Sequence, residues 1–315
     1  MTSVKIDHIR DAAARIAGVA LRTPLLPQPW SRERELWLKP ENLQPVGAFK
    51  IRGAYNAIAV LGEAHRANGV VTHSSGNHAQ AVAFAARTFG VPAVIVMPDS
   101  TPRVKIDATA AHGAEIIEVP MAERERVALE VAAERGMRLI PPFDHPDVIA
   151  GQGTVGVEIV ADLPDVDVVL VPVGGGGLAS GVGVAVKALR PAARVIAVEP
   201  ELAADAVESL RAGHRVHWPA DRRARTIADG LRTEPSELTF EHLREVVDDA
   251  VTVTEDEIRA TMRLLATRAR VVAEPSGAVA CAAALHRELP PGRTVAVVTG
   301  GNVDPALLAD VLRMA

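Results

Sequence analysis

Cysteine is almost absent from the chain: Cys281 is the only one among 315 residues, and it lies in the alanine-rich run GAVACAAAL. One thiol cannot form a disulfide within the chain, so no cross-link holds the fold together. Hydrophobic residues make up 48% of the sequence and charged residues 23%, which is typical of an ordinary globular protein. Such a chain buries a sizeable core, in one large α/β domain or in two smaller lobes.

Strong positive charge and long apolar runs are also missing. The formal net charge is -5, whereas nucleic acid or a membrane surface would normally demand a basic face. No run reaches the ~18 apolar residues of a membrane span. The N-terminal MTSVKIDHIRDAAARI predicts an amphipathic helix capped by Ser3 rather than an export signal, so we expect a cytoplasmic protein. The absences favour a small molecule as partner, and neither nucleic acid nor membrane.

What the sequence does contain is an alternation of apolar, valine-rich segments with segments of helical period. The pairs are GVVTHSS with 77–89, VPAVIVMP with 103–111, AEIIEVP with 122–135, VDVVLVPV with 178–189, and RVIAVEP with 203–210. This alternation is typical of βαβ units and predicts an α/β fold with open parallel sheets. Because the strands carry few polar residues, we expect helices on both faces of the sheets.

Two places in the chain indicate a change of lobe. One is Asn68-Gly69, before the first strand of the series, and the other is the proline-rich stretch PPFDHP at 141–146. We therefore expect a small domain, 69–144, inserted into a large cofactor-binding domain made of 1–68 and 145–315. In open parallel sheets the ligand lies beyond the carboxyl ends of the strands, so functional motifs should directly follow strands.

The longest glycine run, VPVGGGGLASG at 171–181, follows a predicted strand and opens a helix. Bare backbone amides at a helix N-terminus bind phosphate well. The run has neither the GxGxxG spacing nor a Walker lysine, which argues against a nucleotide. A flexible turn is the alternative, but it would need only one or two glycines.

Two further strand ends carry hydrogen-bonding groups. THSSGNHAQ at 72–80 places Ser74, Ser75, Asn77 and His78 at a helix start, where they can bind a carboxylate or simply cap the helix. VVTGGNVD at 297–304 places the Thr299 hydroxyl after the last strand, where an ordinary turn is the alternative. The motif GAFKIRGA at 47–54 sets Lys50 among apolar neighbours; by itself it also fits a surface lysine whose stem covers Phe49.

Together these motifs resemble the pyridoxal-phosphate enzymes of the tryptophan-synthase-β fold type (fold type II), in the branch of serine/threonine dehydratases and serine racemases. The resemblance covers essentially the whole chain. In order, the matching segments are LRTPLLPQP, KPENLQPVGAFKIRGA, SSGNHAQ, IAGQGTVGVEI, PVGGGGLASG, VEPELAADAV, TIADGL, TVTEDEI, EPSGA and TGGNVD.

The resemblance implies a role for each motif around pyridoxal 5'-phosphate. Lys50 matches the lysine that bonds covalently to the cofactor, and burial would lower the pKa of its amine and make it a nucleophile and base. The other implied cofactor-binding residues are Phe49 beside the ring, Asn77 at the phenolic oxygen, Gly174, Gly175, Gly176, Gly177 and Leu178 at the phosphate, and Thr299 at the pyridine nitrogen.

The implied reaction is β-elimination from a small β-hydroxy amino acid such as L-threonine or L-serine, giving a 2-oxo acid and ammonia. A hydroxyl at Thr299 leaves the pyridine nitrogen largely neutral, which favours elimination over transamination. Ser74, Ser75, Gly76 and His78 would hold the substrate carboxylate. Ser75 leaves an alternative open: serine racemases of the family use a serine here as acid or base on the face opposite the lysine, so serine racemase or 3-hydroxyaspartate dehydratase/racemase is the second reading.

Further expectations follow from the same resemblance. Glu199, the Ala203 carbonyl and Asp205 match a divalent-cation site that would take Mg²⁺ or Ca²⁺, although two acids beside a helix start are otherwise a solvated cap. Glu274 is expected near the cofactor ring. We expect a homo-oligomer, with a dimer favoured, and no regulatory domain of the kind that biosynthetic threonine dehydratases carry. A catalytically silent cofactor-binding protein is the alternative from another class; the presence of Lys50 argues against it.

Overall fold

The computed structural model describes residues 3–31 and 34–314, which form two β-sheets with helices packed against them. The strands are β1 (Leu26–Pro27), β2 (Leu36–Pro40), β3 (Val70–His73), β4 (Ala93–Pro98), β5 (Glu115–Val119), β6 (Arg138–Leu139), β7 (Val168–Pro172), β8 (Arg194–Pro200), β9 (Asp249–Val253) and β10 (Thr294–Val298). The larger sheet has the order β1-β2-β10-β7-β8-β9, and the smaller one the order β5-β4-β3-β6.

All strand pairs are parallel except β1 with β2, which are antiparallel at the edge of the larger sheet. Side chains of β7 alternate between two cores: Val168 and Leu170 pack on one face of the sheet, Val169 and Val171 on the other. Helices therefore cover both faces, as a strand without polar residues requires. The predicted α/β class with open parallel sheets is confirmed, except that the edge strand β1 is antiparallel.

The helices are α1 (Ile6–Ile16), α2 (Lys50–Val60), α3 (Glu63–Ala67), α4 (Asn77–Phe89), α5 (Arg103–Ala110), α6 (Arg124–Arg135), α7 (Pro146–Asp162), α8 (Gly177–Leu189), α9 (Asp205–Ala212), α10 (Ala220–Arg223), α11 (Glu237–Val246), α12 (Glu255–Leu264), α13 (Pro275–His286) and α14 (Pro305–Arg313). Single 3₁₀ turns lie at Glu41–Leu43, Met121–Glu123, Glu201–Ala203 and Asp229–Leu231, and a π-helical turn at Leu265–Ala269. No helix within these described ranges combines the length and apolar character that crossing a bilayer requires.

The expected cap of the first helix is wrong. Helix α1 begins at Ile6 with Lys5 in the N-cap position, so Ser3 lies too early in the chain to cap it. The Val4 amide instead donates to Nε2 of His242 at 2.9 Å, and Val4 and Ile9 are buried. Packing of this apolar face, rather than a serine cap, determines where the helix starts.

The two sheets draw their strands from different parts of the chain. Every strand of the smaller sheet lies between Val70 and Leu139, whereas the strands of the larger sheet come before or after that stretch. Helix α2, however, precedes the stretch and packs Ile51 and Ile58 into the core of the smaller sheet. It belongs to both packing units, so the domain boundaries at 69 and 144 stay a prediction.

Candidate active site

Lys50 is the first residue of α2 and lies at the carboxyl end of the larger sheet. The preceding Phe49 amide donates to the Thr299 carbonyl at 3.1 Å, which joins the start of α2 to the end of β10. The Lys50 Nζ donates to the Pro142 carbonyl at 2.8 Å and lies 5.1 Å from the centre of the Phe49 ring. The side chain is half-buried, and desolvation of the amine lowers the pKa of Lys50 to about 8. No carboxylate among the described residues pairs with this amine.

The glycine loop follows β7 and leads into α8, as predicted. Gly176 has φ +86°, a conformation that glycine adopts without strain, and it stands at the N-cap with no side chain capping the helix. Residues 174–178 are buried, and within the described chain none of their backbone N–H groups donates a hydrogen bond. Buried donors without acceptors at a helix N-terminus fit an anion such as a phosphate group.

Phe143 connects the glycine loop with Lys50. A Cβ on Gly175 would collide with the Phe143 ring, and one on Gly177 would lie 2.9 Å from the Phe143 Cβ. Close packing therefore requires glycine at these positions in addition to any ligand. Because Pro142, which accepts the Lys50 hydrogen bond, is the residue before Phe143, one short segment sets the amine beside the phosphate cradle.

The segment 74–78 runs from the end of β3 into α4. Ser74 Oγ accepts a hydrogen bond of 3.3 Å from the Gly76 amide, and a Cβ on Gly76 would meet no atom within 4 Å. This open space lies at the start of α4, where Gly76 is the N-cap residue. The Ser75 side chain is half-buried and bonds to none of the described residues. A substrate carboxylate would find hydroxyl and amide donors here.

His78 is buried and neutral. Its Nε2 lies 2.9 Å from the Ile140 carbonyl, so this nitrogen carries the proton and donates it. Burial, assisted by the nearby positive charge of Lys50, lowers the pKa of His78 to about 3. The imidazole therefore supports the segment before Pro142 through its bond to the Ile140 carbonyl.

Asn77 is held by two partners from the distant end of the chain. Its Nδ2 donates to Glu274 Oε1 at 2.6 Å, and its Oδ1 accepts from Asn302 Nδ2 at 2.8 Å. Desolvation, followed by the negative charge of Asp229, raises the pKa of Glu274 to about 7. Glu274 thus lies beside a predicted cofactor-binding residue, whereas Asn302 had no predicted role although it belongs to the quoted motif TGGNVD.

Thr299 follows β10 and is buried, with its Oγ1 donating to the Ser276 carbonyl at 3.3 Å. The Phe49 amide bonds to the Thr299 carbonyl, so the predicted ring neighbour and the predicted partner of the pyridine nitrogen are adjacent. The structure therefore brings together Lys50, Phe49 and Thr299 directly. It adds the glycine loop through Phe143, and Asn77 through Asn302, whose Nδ2 also donates to the Val46 carbonyl at 2.9 Å.

The predicted cation site lies elsewhere, at the end of β8. Glu199 accepts the amides of Ala206 and Val207 at 3.2 and 2.7 Å, which places its carboxylate at the start of α9. Both carboxylate oxygens of Asp205 are buried and have no partner in the part of the chain described. Desolvation raises the pKa of Asp205 to about 6, and desolvation with the neighbouring Asp205 charge raises the pKa of Glu199 well above its ordinary range.

A hard divalent cation would fit these two acids. The two Asp205 oxygens lack donors and are the kind of ligand such an ion prefers, whereas each Glu199 oxygen already accepts one amide and would bind the ion through a remaining lone pair; Ala203 lies buried between the two acids in the chain. The described residues contain no group of three or more histidine, cysteine or acidic side chains placed to hold a metal ion, so carbonyl oxygens and water would have to complete the coordination.

Known proteins resemble this chain over nearly its whole length. Residues 16–300 match the family described as pyridoxal-phosphate dependent enzyme. L-threo-3-hydroxyaspartate ammonia-lyase of Saccharomyces cerevisiae is 44% identical, with 94% of this chain and 92% of the relative covered. L-threonine ammonia-lyase of Thermotoga maritima is 44% identical, with 98% and 78% covered. The structure of maize serine racemase superposes with a TM-score of 0.94 at 40% identity, covering 98% of this chain and 97% of that one.

Proposed function

Because the chain belongs to the pyridoxal-phosphate-dependent enzymes, in the ammonia-lyase and racemase branch, we propose that it is a threonine/serine dehydratase. It would convert a small β-hydroxy amino acid, such as L-threonine or L-serine, into a 2-oxo acid and ammonia. The observation that carries this proposal is the Lys50 amine, which has a lowered pKa and lies beside the free amides of the glycine loop.

Each part of the cofactor has a complementary group in this chain. The amides from Gly174 to Leu178 would hold the phosphate, and Asn77, oriented by Glu274 and Asn302, would donate to the phenolic oxygen. Phe49 would pack beside the ring, with the Thr299 hydroxyl at the pyridine nitrogen. Bound there, the cofactor supplies an electron sink that makes the substrate α-proton removable.

Lys50 would act as the base on one face of the substrate. With a pKa of about 8, a substantial fraction of the amine is neutral near physiological pH and can accept the α-proton. Loss of that proton and departure of the β-hydroxyl as water, after it receives a proton, leave an enamine. Hydrolysis of the enamine gives the 2-oxo acid and ammonia. Thr299 offers a hydroxyl rather than a carboxylate at the ring nitrogen, which favours this elimination.

The substrate carboxylate would bind at segment 74–78. Ser74, Ser75 and the amides of Gly76 and His78 would supply its hydrogen-bond donors, the Gly76 amide by leaving Ser74 Oγ, and a Cβ on Gly76 would meet no atom within 4 Å, so this side of the segment is open. The helix N-terminus adds a favourable potential for a negative charge. The amino acid would then lie between this segment and the Lys50 amine, with its β-substituent free of the carboxylate contacts.

A substrate panel tests the proposal. L-threonine, L-serine and L-threo-3-hydroxyaspartate are supplied to the holoenzyme, and 2-oxo acid and the stereoisomer inverted at Cα are measured separately. We expect 2-oxo acid to form faster than the inverted stereoisomer with L-threonine or L-serine. Formation of the inverted stereoisomer that exceeds 2-oxo acid formation with each substrate would contradict the dehydratase assignment.

Serine racemase remains the second candidate, because the Ser75 side chain has no partner among the described residues. A free hydroxyl opposite Lys50 could deliver a proton to the other face of the substrate. Ser75→Ala should lower serine racemisation by ~10²-fold or more while elimination largely persists. If both rates fall by the same factor, Ser75 only binds the carboxylate, and the racemase reading loses its support.

We also propose that the enzyme is a cytoplasmic homo-oligomer, with a dimer favoured. Leu43 and Val272 are 48% and 44% exposed, and Asn42 Nδ2 joins their two segments by donating to the Val272 carbonyl at 3.0 Å. This apolar surface would be covered in a dimer. Sedimentation equilibrium should give twice the chain mass, and a monomer at every concentration would contradict the proposal.

A further inference from the structure

Beneath the start of α2 lies a group of four charged side chains, Lys39, Glu41, Arg52 and Glu158, here named the charge cluster. Lys39, Glu41 and Arg52 are fully buried, and the Glu158 side chain is 14% exposed. Two positive and two negative charges balance one another. Moving these four charges out of water costs free energy that can equal what their pairing returns. Stabilisation of the core alone is therefore a weak explanation for the cluster.

Arg52 is the centre of the charge cluster. Its Nε and Nη2 donate to the two Glu41 carboxylate oxygens at 2.7 and 2.8 Å, and Nη1 and Nη2 donate to the two Glu158 oxygens at 2.6 and 2.9 Å. Nη1 also bonds to Thr154 Oγ1, and Nη2 to the Leu21 carbonyl, both at 3.0 Å. Every nitrogen of the guanidinium is therefore engaged, in a geometry that only a planar fork provides.

The same helical turn carries Lys50, two residues earlier. An α-helix rotates by roughly 100° per residue, so the two side chains leave α2 on opposite sides. The hydrogen bond from the Phe49 amide to the Thr299 carbonyl fixes the start of α2. The Arg52 bonds fix the face of this turn that lies opposite Lys50. A rotation or slide of α2 that moved the Lys50 amine would break the Arg52 bonds.

The apolar side chains of α2 pack mainly on the smaller sheet, and its backbone also lies against α7, where a Cβ on Gly151 would lie 2.5 Å from the Arg52 carbonyl oxygen. Ile51, Ala54 and Ile58 belong to the core that also contains β3 and β4 residues. The glycine loop, in contrast, belongs to β7 and α8 of the larger sheet. Apolar side chains therefore join most of α2 to one unit, whereas Phe49 and the close approach of α7 already join its first turn to the other; the Arg52 bonds add fixed direction to that contact.

The bonds of Arg52 lead to the unit of the glycine loop. Glu158 lies on α7, whose Gly153 and Gly156 approach α8 so closely that a Cβ on either would lie 2.8 Å from an α8 carbonyl. Glu41 follows β2 of the larger sheet. A continuous path of close contacts therefore runs from Arg52 through α7 to the helix that begins with the glycine loop.

We propose that Arg52 is a positioning residue, which holds the Lys50 amine at the distance from the glycine loop that the cofactor aldehyde requires. This inference rests on the proposed role of Lys50 as the cofactor-binding amine. It assigns to the bonds between Arg52 and the Glu41 and Glu158 carboxylates the alignment of α2 with the phosphate cradle, a role beyond stabilising the core. A misplacement of ~1 Å at a reacting atom can cost ~10²-fold, so the alignment matters chemically.

The test compares two compounds that differ at one group. Pyridoxal 5'-phosphate carries the aldehyde, whereas 4'-deoxypyridoxine 5'-phosphate has the same ring and phosphate without it. Their affinities for the cofactor-free protein are measured by equilibrium dialysis, and their ratio reports what the Lys50 amine adds. We expect the wild type to bind pyridoxal 5'-phosphate more tightly than 4'-deoxypyridoxine 5'-phosphate. Equal wild-type affinities would overturn the Lys50 assignment, and this inference with it.

Arg52→Lys keeps the positive charge but loses the fork. We expect the affinity ratio to fall by ~10-fold or more, while the affinity for the deoxy compound stays within ~2-fold of the wild type. Equal losses for both compounds would show general damage to the site and would overturn the proposal. An unchanged ratio would overturn it as well.

Lys39→Gln is the matched control. Lys39 is equally buried and donates to the same Glu158 carboxylate at 2.5 Å, but it lies on β2 rather than on α2. We expect this variant to lose stability without losing the affinity ratio, and a ratio as low as that of Arg52→Lys would contradict the proposal. If Arg52→Lys does not fold, Glu158→Gln decides, because it removes one of the two carboxylates; a ratio unchanged from the wild type would then overturn the inference.

Discussion

Two cationic side chains lie two residues apart on α2 and have opposite surroundings. Lys50 donates to a neutral carbonyl, and desolvation lowers the pKa of its amine to about 8. Arg52 is fully buried between the Glu41 and Glu158 carboxylates, which raise the pKa of its guanidinium. Burial penalises both charges, but only Arg52 has carboxylates to offset the penalty. The carboxylate partners therefore make Arg52 a structural cation, and their absence leaves Lys50, on the same turn, a reactive amine.

The largest effect is expected at the unpaired amine. Lys50→Ala should lower 2-oxo acid formation by ~10⁴-fold or more, because it removes both the covalent attachment and the base. The affinity for 4'-deoxypyridoxine 5'-phosphate should persist, since the glycine loop supplies the phosphate contacts. Turnover at the wild-type rate in this variant would end the proposed function.

Removing the paired cation should instead damage the fold. Arg52→Met leaves the Glu41 and Glu158 carboxylates buried without their main partner, and we expect the free energy of unfolding to fall by ~3–5 kcal/mol. Urea denaturation of the cofactor-free protein measures this change. A loss below ~1 kcal/mol would mean that solvent or rearrangement compensates the two carboxylates, and the contrast with Lys50 would weaken.

Glu274 is a second ionisable group without a cationic hydrogen-bond partner among the described residues, and its pKa is raised to about 7. Below pH ~4.5 it is protonated in both the folded and the unfolded chain; between pH ~4.5 and ~7 only the unfolded chain loses the proton, so folding becomes less favourable as pH rises. Glu274→Gln should therefore stabilise the protein by up to ~3 kcal/mol at pH 8 and have little effect near pH 4.

Glu257 provides the matched control for this prediction. Arg287 donates to it at 2.5 and 2.7 Å, and the pKa of Glu257 is lowered despite partial burial. The ionised Glu257 carboxylate therefore stabilises the folded protein above the pKa that Glu257 has in the unfolded chain. This stabilisation is lost as the pH falls through the lower pKa of the folded state. Glu257→Gln should destabilise the protein at pH 8, opposite in sign to Glu274→Gln. Equal signs for the two variants would contradict the distinction between paired and unpaired groups.

The smallest effect is expected at Glu199 and Asp205, where we propose a divalent cation as the missing partner. An ion that binds only the folded state stabilises it by ~1–3 kcal/mol at concentrations well above its dissociation constant. Chelation should lower the melting temperature of the wild type, and Asp205→Ala should abolish this sensitivity. If no chelator concentration changes the wild-type melting temperature, the two acids only form the start of α9.

The sequence allowed prediction of features that depend on local pattern. The valine-rich strands, the start of α4 at Asn77 and the glycine loop before α8 follow from periodicity and glycine content within a few residues. The bonds that orient Asn77 join it to Glu274 and Asn302 across the fold. Such contacts depend on which strands become neighbours, and no local signal in TGGNVD specifies that its asparagine meets α4.

The charge cluster was missed for the same reason. Arg52 lies in the quoted motif GAFKIRGA, but its partners Glu41 and Glu158 come from two separate elements. A charged residue inside an apolar motif indicates either exposure or pairing, and the sequence does not distinguish these. The mistaken Ser3 cap shows the complementary limit, because packing of Val4 and Ile9 overrides a favourable capping residue.

The most direct test of the contrast on α2 is the titration of the Lys50 amine in the cofactor-free protein. The rate of its reductive methylation is measured against pH by mass spectrometry, with the exposed Lys5 in the same sample as the internal reference. We predict a midpoint near pH 8 for Lys50. A Lys50 midpoint near ~10.4, the ordinary value of a solvated lysine amine, would contradict the account.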